Sequence, residues 1–191
     1  MKKIILASAS PRRKELLEQI GLEFEVEPSN SRENMNSGLP PHEIARILSL
    51  EKARAVAERH PEAIVIAADT FIVFGKRIMG KAHTPSEAKE MLTRLNGKEH
   101  LVITGFTVLD KARGKTHTES VETKVRMKKM TAREIDAYVR SGEPIGKAGA
   151  YAIQELGSVM IEGIEGDYFN VVGLPLAPLA EGLKEFGVRV L

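Results

Sequence analysis

A short apolar run, Ile4-Ile5-Leu6-Ala7, gives way at once to Ser8-Ala9-Ser10-Pro11-Arg12-Arg13. Two hydroxyls, a proline and two guanidinium groups in that order are the parts that hold a phosphorylated ligand at the start of a helix. Ser10 suits the N-cap, and Pro11 suits the first helical position, where a missing N–H costs nothing. First-turn N–H groups and the helix dipole then face an arriving anion. Arg12 and Arg13 add forked, charge-assisted hydrogen bonds to phosphate oxygens. The same residues also suit an ordinary capped helix with two solvated arginines.

A second reactive position is Asp69, which follows the uniformly apolar run Ala63–Ala68 and precedes Thr70. At the carboxyl end of a buried strand, where α/β sheets bind ligands, such a carboxylate holds a divalent cation or takes a proton from water. The other reading is a surface aspartate that ends a strand in an Asx turn. Lys52 is odd for its spacing. It lies in one helical stripe with Ile44, Leu48 and Val56, so it must snorkel, pair with an acid or reach into a cleft. Lys81 follows Gly80 in a loop and can meet a phosphate as a point charge. Glu33 is a second carboxylate for a cation shared with Asp69, with Glu27 and Glu43 nearby as competitors. Gln154, closing Ala150-Tyr151-Ala152-Ile153-Gln154, offers a donor and an acceptor to the edge of a nucleobase. The five histidines are scattered without metal-ligand spacing, and Ser8 and Ser10 have no evident His–Asp partners, which argues against zinc and against a serine hydrolase.

The elements that must position these residues are legible from periodicity and punctuation. A strand is expected near Lys3–Ala7, a helix from Pro11 to Ile20 stopped by Gly21, and a strand over Leu22–Val26. Pro28–Pro40 reads as a polar loop, and Pro41 opens a helix to about His60. Ala63–Ala68 is a strand buried on both faces, ending at Asp69. Phe71–Phe74 and Arg77–Met79 form a hairpin around Gly75-Lys76. Thr84-Pro85-Ser86-Glu87 and Thr131–Glu134 are capping boxes that open helices to about Leu95 and Arg140. Strands near Leu101–Leu109 and Thr116–Met127 lie between them. Beyond the glycine-rich stretch Gly142–Gly149, strands are expected near Val159–Ile164 and Asn170–Val172, then a final helix after Pro175. Helices and strands mix without strict βαβ alternation, so the expected class is α/β or α+β with a central mixed sheet.

Composition narrows the function classes. The 191 residues suffice for one sizeable core. Lys and Arg number 28 against 26 Asp and Glu, a balance that speaks against a stable nucleic-acid partner. There is no cysteine, hence no disulfide, thiolate metal site or cysteine nucleophile. The Ile4–Ala7 run is too short for a signal peptide, and no apolar run approaches the roughly 20 residues that cross a bilayer. A cytoplasmic protein without a membrane partner is expected.

Taken in order, these segments resemble the Maf family of nucleoside triphosphate pyrophosphatases over nearly the whole chain. The resemblance rests on Ser8–Arg13, Glu51-Lys52-Ala53, Ala67-Ala68-Asp69-Thr70, Gly80-Lys81, Gly142-Glu143-Pro144, Lys147–Gln154 and Val171-Val172-Gly173-Leu174-Pro175. It implies one domain over residues 1–191, with an elongated mixed sheet flanked by helices and two lobes around a deep cleft, as in inosine triphosphatase-like folds. Many members are dimers, so the resemblance also admits a homodimer. Arg12, Thr70 and Gln154 match the branch acting on dTTP and UTP, whereas the branch acting on 7-methyl-GTP tends to carry Trp, Gln and Glu there. Ala82 departs from the family's usual proline, and the acidic cluster around Ser31-Arg32-Glu33 is thin.

The implied reaction is hydrolysis of dTTP or UTP, or of modified pyrimidine nucleotides, to monophosphate and pyrophosphate. Asp69 would be the base, and Mg²⁺ or Mn²⁺ would be held by Asp69 and Glu33. Ser8, Ser10, Arg12, Arg13, Lys52, Thr70, Lys81 and Gln154 would bind substrate. From the residues alone, Asp69 is equally a metal ligand without a proton-transfer role. Two rivals share the cationic residues: a non-catalytic nucleotide- or DNA-binding regulator of cell division, and an enzyme clearing inosine or xanthosine triphosphates.

Overall fold

The computed structural model describes residues 2–29, 31, 35 and 38–191. In chain order the elements are β1 (Ile4–Leu6), α1 (Pro11–Gln19), β2 (Glu25–Val26), α2 (Pro41–Ala57), β3 (Ile64–Phe74), β4 (Arg77–Met79), α3 (Pro85–Leu95), β5 (Glu99–Asp110), β6 (Lys115–Met127), α4 (Ala132–Arg140), a 3₁₀ turn (Leu156–Met160), β7 (Ile161–Glu165), α5 (Tyr168–Val172) and α6 (Leu176–Lys184). Among the described residues the strands form one seven-stranded sheet of order β2-β1-β3-β5-β6-β7, with β4 paired to β3. β1 is parallel to β2 and β3, whereas β3–β4 and β6–β7 are antiparallel. The class is mixed α/β, as the sequence leads one to expect.

The chain divides into two compact units. The first comprises Met1–Asp69, Thr104–Val121 and Gly173–Leu191; the second comprises Thr70–Ile103 and Glu122–Val172. In the first, Ile5, Ala7, Val65, Ala67 and Leu109 pack with Ala53, Val56 and Ala57 of α2. In the second, Ile72, Leu92, Leu95, Val102, Val125, Ile135, Tyr138, Tyr151 and Met160 form the core.

Local signals explain most boundaries. Thr84 caps α3 by accepting from the Glu87 amide, with Pro85 behind it. Glu87 completes no box, because its carboxylate accepts instead from the His83 amide at 2.7 Å. Thr131 and Glu134 form the full reciprocal box at α4. The Phe74–Arg77 hairpin forms around Gly75 as its residue types demand.

Three expectations are corrected. The strand carrying Asp69 does not end there: β3 runs on to Phe74, because Phe71 and Ile72 are buried and keep the chain extended. The segment expected as a strand at Asn170–Val172 is helical α5. The Asp167 carboxylate accepts from the Phe169 and Asn170 amides at 2.7 and 3.2 Å, and this cap outweighs the β propensity of Val171-Val172. The stretch expected to open a strand at Val159 is instead the 3₁₀ turn, so β7 starts at Ile161. In addition β2 spans only Glu25–Val26, and α2 stops at Ala57.

His100, on β5 in the second unit, is buried and its Nε2 lies 2.8 Å from the Tyr151 hydroxyl. Burial pushes this imidazole down to about 4 from 6.5. Between those values the unfolded chain binds a proton that the folded chain refuses, so stability rises with pH across the window and is lost as pH falls from about 6.5 to about 4. The shift corresponds to roughly 3 kcal/mol. In urea titrations from pH 7 to pH 4.5, His100→Gln is expected to lose less stability than the parent chain, and parallel pH dependences would refute the assignment.

Candidate active site

The parallel pairing of β1 with β3 reaches Leu6 opposite Ile66, and the Ala7 amide extends it by donating to Ile66 O at 2.7 Å. The chain then turns through Ser8–Ser10 into α1. Ser10 occupies the N-cap position with Pro11 behind it, but the Ser10 side chain makes no capping bond. The local acceptor is Ser8: its Oγ accepts from the Ser10 amide at 3.3 Å and from Arg13 Nη1 at 3.1 Å. Arg13 Nε donates to Gly173 O at 2.8 Å, tying the turn to the segment that leads into α6. Ser8 is buried, while Arg12 and Arg13 are half-buried.

Alternation along the β3 segment places the candidate carboxylate. Ala63, Val65 and Ala67 face Ala53, Val56 and Ala57 of α2, and Asp69 is next on that face. On α2, Ile44, Leu48 and Val56 are all buried, and Lys52 between them is 7% exposed. Lys52 Nζ donates to Asp69 Oδ1, and Asp69 is itself 3% exposed. Of the three outcomes open to a lysine in an apolar stripe, pairing with an acid is the one realised.

A residue that pattern reading missed allows α2 to lie so close to β5. Gly105 faces the Ala45 carbonyl, and any Cβ there would collide with it. Beside it, Ser49 of α2 is hydrogen-bonded to Thr107 of β5 at 2.9 Å.

The remaining candidates belong to the second unit. Thr70 follows Asp69 on β3 and is half-buried. The Gly80-Lys81 loop is laddered to the glycine-rich stretch. Lys81 pairs with Ala148, the Gly149 amide donates to Gly80 O at 3.0 Å, and the Ala82 amide donates to Lys147 O at 3.2 Å. These two motifs, distant in sequence, therefore form one structure, from which the Lys81 side chain is exposed. Ala150 sits at φ 64°, a left-handed conformation that costs an L residue about 1 kcal/mol. It is fully buried there, and such strain concentrates where function fixes the backbone. Gln154 lies just beyond, with its side chain exposed.

Glu33 lies outside the described residues. Among the described residues no group of three or more histidine or carboxylate side chains converges as a metal cage. A single carboxylate such as Asp69 nevertheless suits Mg²⁺, which is commonly held by one or two carboxylates together with substrate phosphates.

A family profile described as Maf-like protein matches residues 3–186. A dTTP/UTP pyrophosphatase of Methanococcoides burtonii is 50% identical over 191 residues, covering 100% of this chain and 98% of the relative. One of Moorella thermoacetica is 47% identical over 190 residues, with the same coverage of 100% and 98%. Among solved structures, a HAM1 protein from Coxiella burnetii superposes with a TM-score of 0.49 at 15% identity, covering 97% of this chain and 100% of that one.

Removing one member of a buried ion pair is expected to cost about 3 kcal/mol. Lys52→Met and Asp69→Asn should each lower the thermal midpoint, and the double variant should be more stable than Asp69→Asn alone. Additive losses in calorimetric or denaturant unfolding would show that the two side chains are not coupled.

Proposed function

The chain belongs to the Maf family, and from that premise we propose that it hydrolyses dTTP and UTP to the nucleoside monophosphate and pyrophosphate. The observation that carries this reading is the buried Lys52–Asp69 pair, in a chain sharing half its residues end to end with a dTTP/UTP pyrophosphatase. In the proposed reaction a water oxygen bonds to the α-phosphorus, the bond from that phosphorus to the bridging oxygen breaks, and pyrophosphate leaves with the electron pair.

Each candidate residue has a role that its surroundings support. The Ser8–Ser10 turn and the amides opening α1 receive phosphate oxygens. Arg12 supplies a forked donor. Arg13, held in place by Ser8 and Gly173, supplies a second one whose orientation is set in advance. Lys52 orients Asp69 and brings positive charge beside it. Asp69 takes the proton of the attacking water. Lys81 offers a point charge from its laddered loop, Thr70 a hydroxyl, and Gln154 an amide complementary to the N3–H and carbonyl edge of uracil or thymine.

Divalent-metal dependence belongs to the same proposal, with Asp69 as ligand and Glu33 as a second. When bound, such a cation supplies charge neutralisation and a more acidic water. Residues 1–191 act in this reading as one functional domain, located in the cytoplasm without a stable nucleic-acid partner, and the family resemblance admits a homodimer. Among the described residues no helix is long and apolar enough to cross a membrane.

The test is a panel of normal and modified triphosphates assayed with Mg²⁺ or Mn²⁺, with monophosphate and pyrophosphate both quantified. dTTP and UTP should be turned over best. Asp69→Asn should lower kcat by about 10³-fold, within the range for a lost general base. Lys81→Ala should mainly raise KM, by roughly tenfold. Near-normal UTP turnover by folded Asp69→Asn would overturn the mechanism.

A further inference from the structure

Within the second unit, the turn that carries Gln154 is held from behind by one carboxylate that the reaction above does not use. Glu143 Oε1 accepts from the Tyr138 hydroxyl at 2.8 Å and from the Gly157 amide at 2.9 Å, and Oε2 accepts from the Leu156 amide at 2.9 Å. The Tyr138 hydroxyl in turn accepts from the Ala152 amide at 3.2 Å. Gln154 is thus bracketed two residues to either side, at Ala152 and Leu156, by amides fixed to the same phenol–carboxylate pair.

Two further features show that the backbone is built around this contact. A Cβ on Gly157 would come within 2.6 Å of both the Ala152 carbonyl oxygen and the Tyr138 hydroxyl oxygen, so only glycine lets the turn close onto its anchor. Gly142, at φ 78°, turns the chain out of α4, and the Ser141 hydroxyl then accepts from the Glu143 amide at 3.2 Å. Tyr138 is 4% exposed, and burial together with the adjacent carboxylate holds its phenol protonated far above the ordinary range, so it remains a donor to Glu143.

We infer that Glu143 and Tyr138 are positioning residues for base selection, acting through the Ala152–Gly157 turn to fix where Gln154 presents its amide. The inference rests on the reading of Gln154 as the residue that meets the pyrimidine edge. A freely moving amide pairs with more than one base, whereas one held on a fixed backbone discriminates. A carboxylate serves here because charge-assisted bonds to backbone amides are stronger than neutral ones, and one carboxylate satisfies three donors at once.

The experiment compares kcat and KM for UTP and GTP in Glu143→Ala, Glu143→Gln, Tyr138→Phe, Gln154→Ala and the Glu143→Ala/Gln154→Ala double variant, each checked for folding by thermal melting. Gln154→Ala is expected to lower the UTP:GTP ratio of kcat/KM by roughly tenfold. Glu143→Ala should lower it comparably, through KM for UTP rather than kcat. Glu143→Gln, which keeps one acceptor, should restore part of the loss, and the double variant should be no worse than either single. If Gln154→Ala changes the ratio while Glu143→Ala and Tyr138→Phe do not, the positioning role is overturned and the base reading stands. An unchanged ratio in Gln154→Ala itself overturns the base reading, and this inference with it. Additive losses in the double variant also overturn the inference. Should Glu143→Ala fail to fold, Glu143→Gln and Tyr138→Phe decide: a lowered ratio supports the role and an unchanged one overturns it.

Discussion

Burying an ammonium and a carboxylate costs several kcal/mol per ion, and their mutual attraction offsets that only when the two are held together. The Lys52–Asp69 pair sets this constraint on the first unit. Lys52 must emerge from α2 on the stripe that also carries Ile44, Leu48 and Val56, so the apolar contacts that dock the helix and the ionic contact share one helical register. Asp69 must follow Val65 and Ala67 on the same face of β3. Gly105 removes the side chain that would otherwise push α2 off the sheet. An apolar pair of similar volume would commonly hold a helix to a sheet as well, and sometimes better. A pair that contributes little to stability relative to such a replacement points to chemistry as the reason for its presence.

The second unit solves a different problem: how to hold exposed side chains without burying them. Lys81 and Gln154 are both exposed, and the backbone beneath each of them is fixed. Lys81 is bridged to Ala148, and the neighbouring chain enters a left-handed conformation at Gly149 and Ala150. The Gly149 position also lies against the Ile72 side chain, where a Cβ would collide. Gln154 is bracketed by amides that Tyr138 and Glu143 hold. Fixing the backbone beneath an exposed side chain lowers the ordering cost when that side chain meets a ligand.

Much of this is legible in the sequence, and what is not has identifiable physical causes. The stripe of Ile44, Leu48, Lys52 and Val56 marks Lys52 as out of place because helical periodicity is a strong signal, but snorkelling, pairing and a cleft all fit it, and only the structure selects the pairing. The caps at Thr84 and Thr131 and the turn at Gly75 are local chemistry, visible in local sequence. The continuation of β3 through Asp69 was not visible, because a polar pair in an apolar run reads as an ending, and only tertiary burial of Phe71 and Ile72 shows otherwise. α5 is not legible in the Asn170–Val172 window, which carries β propensity, because its cap at Asp167 lies outside that window. The Arg13–Gly173 bond and the Glu143 anchor join segments far apart in the chain, and no spacing rule predicts them. Ser10 was expected to cap α1; Ser8 serves the turn instead, accepting from both the Ser10 amide and Arg13.

Charge explains why these pieces belong in one protein. A triphosphate carries about four negative charges near neutral pH, and a catalytic carboxylate by itself adds to the repulsion. In the first unit the Asp69 carboxylate is matched by the Lys52 ammonium, so in the proposed reaction it does not stand as an uncompensated anion. Two of the bonds that orient Arg13 go to the Ser8 hydroxyl and the Gly173 carbonyl. An ionic partner where an anion must be tolerated is part of the electrostatic arrangement that attack on a polyanion requires.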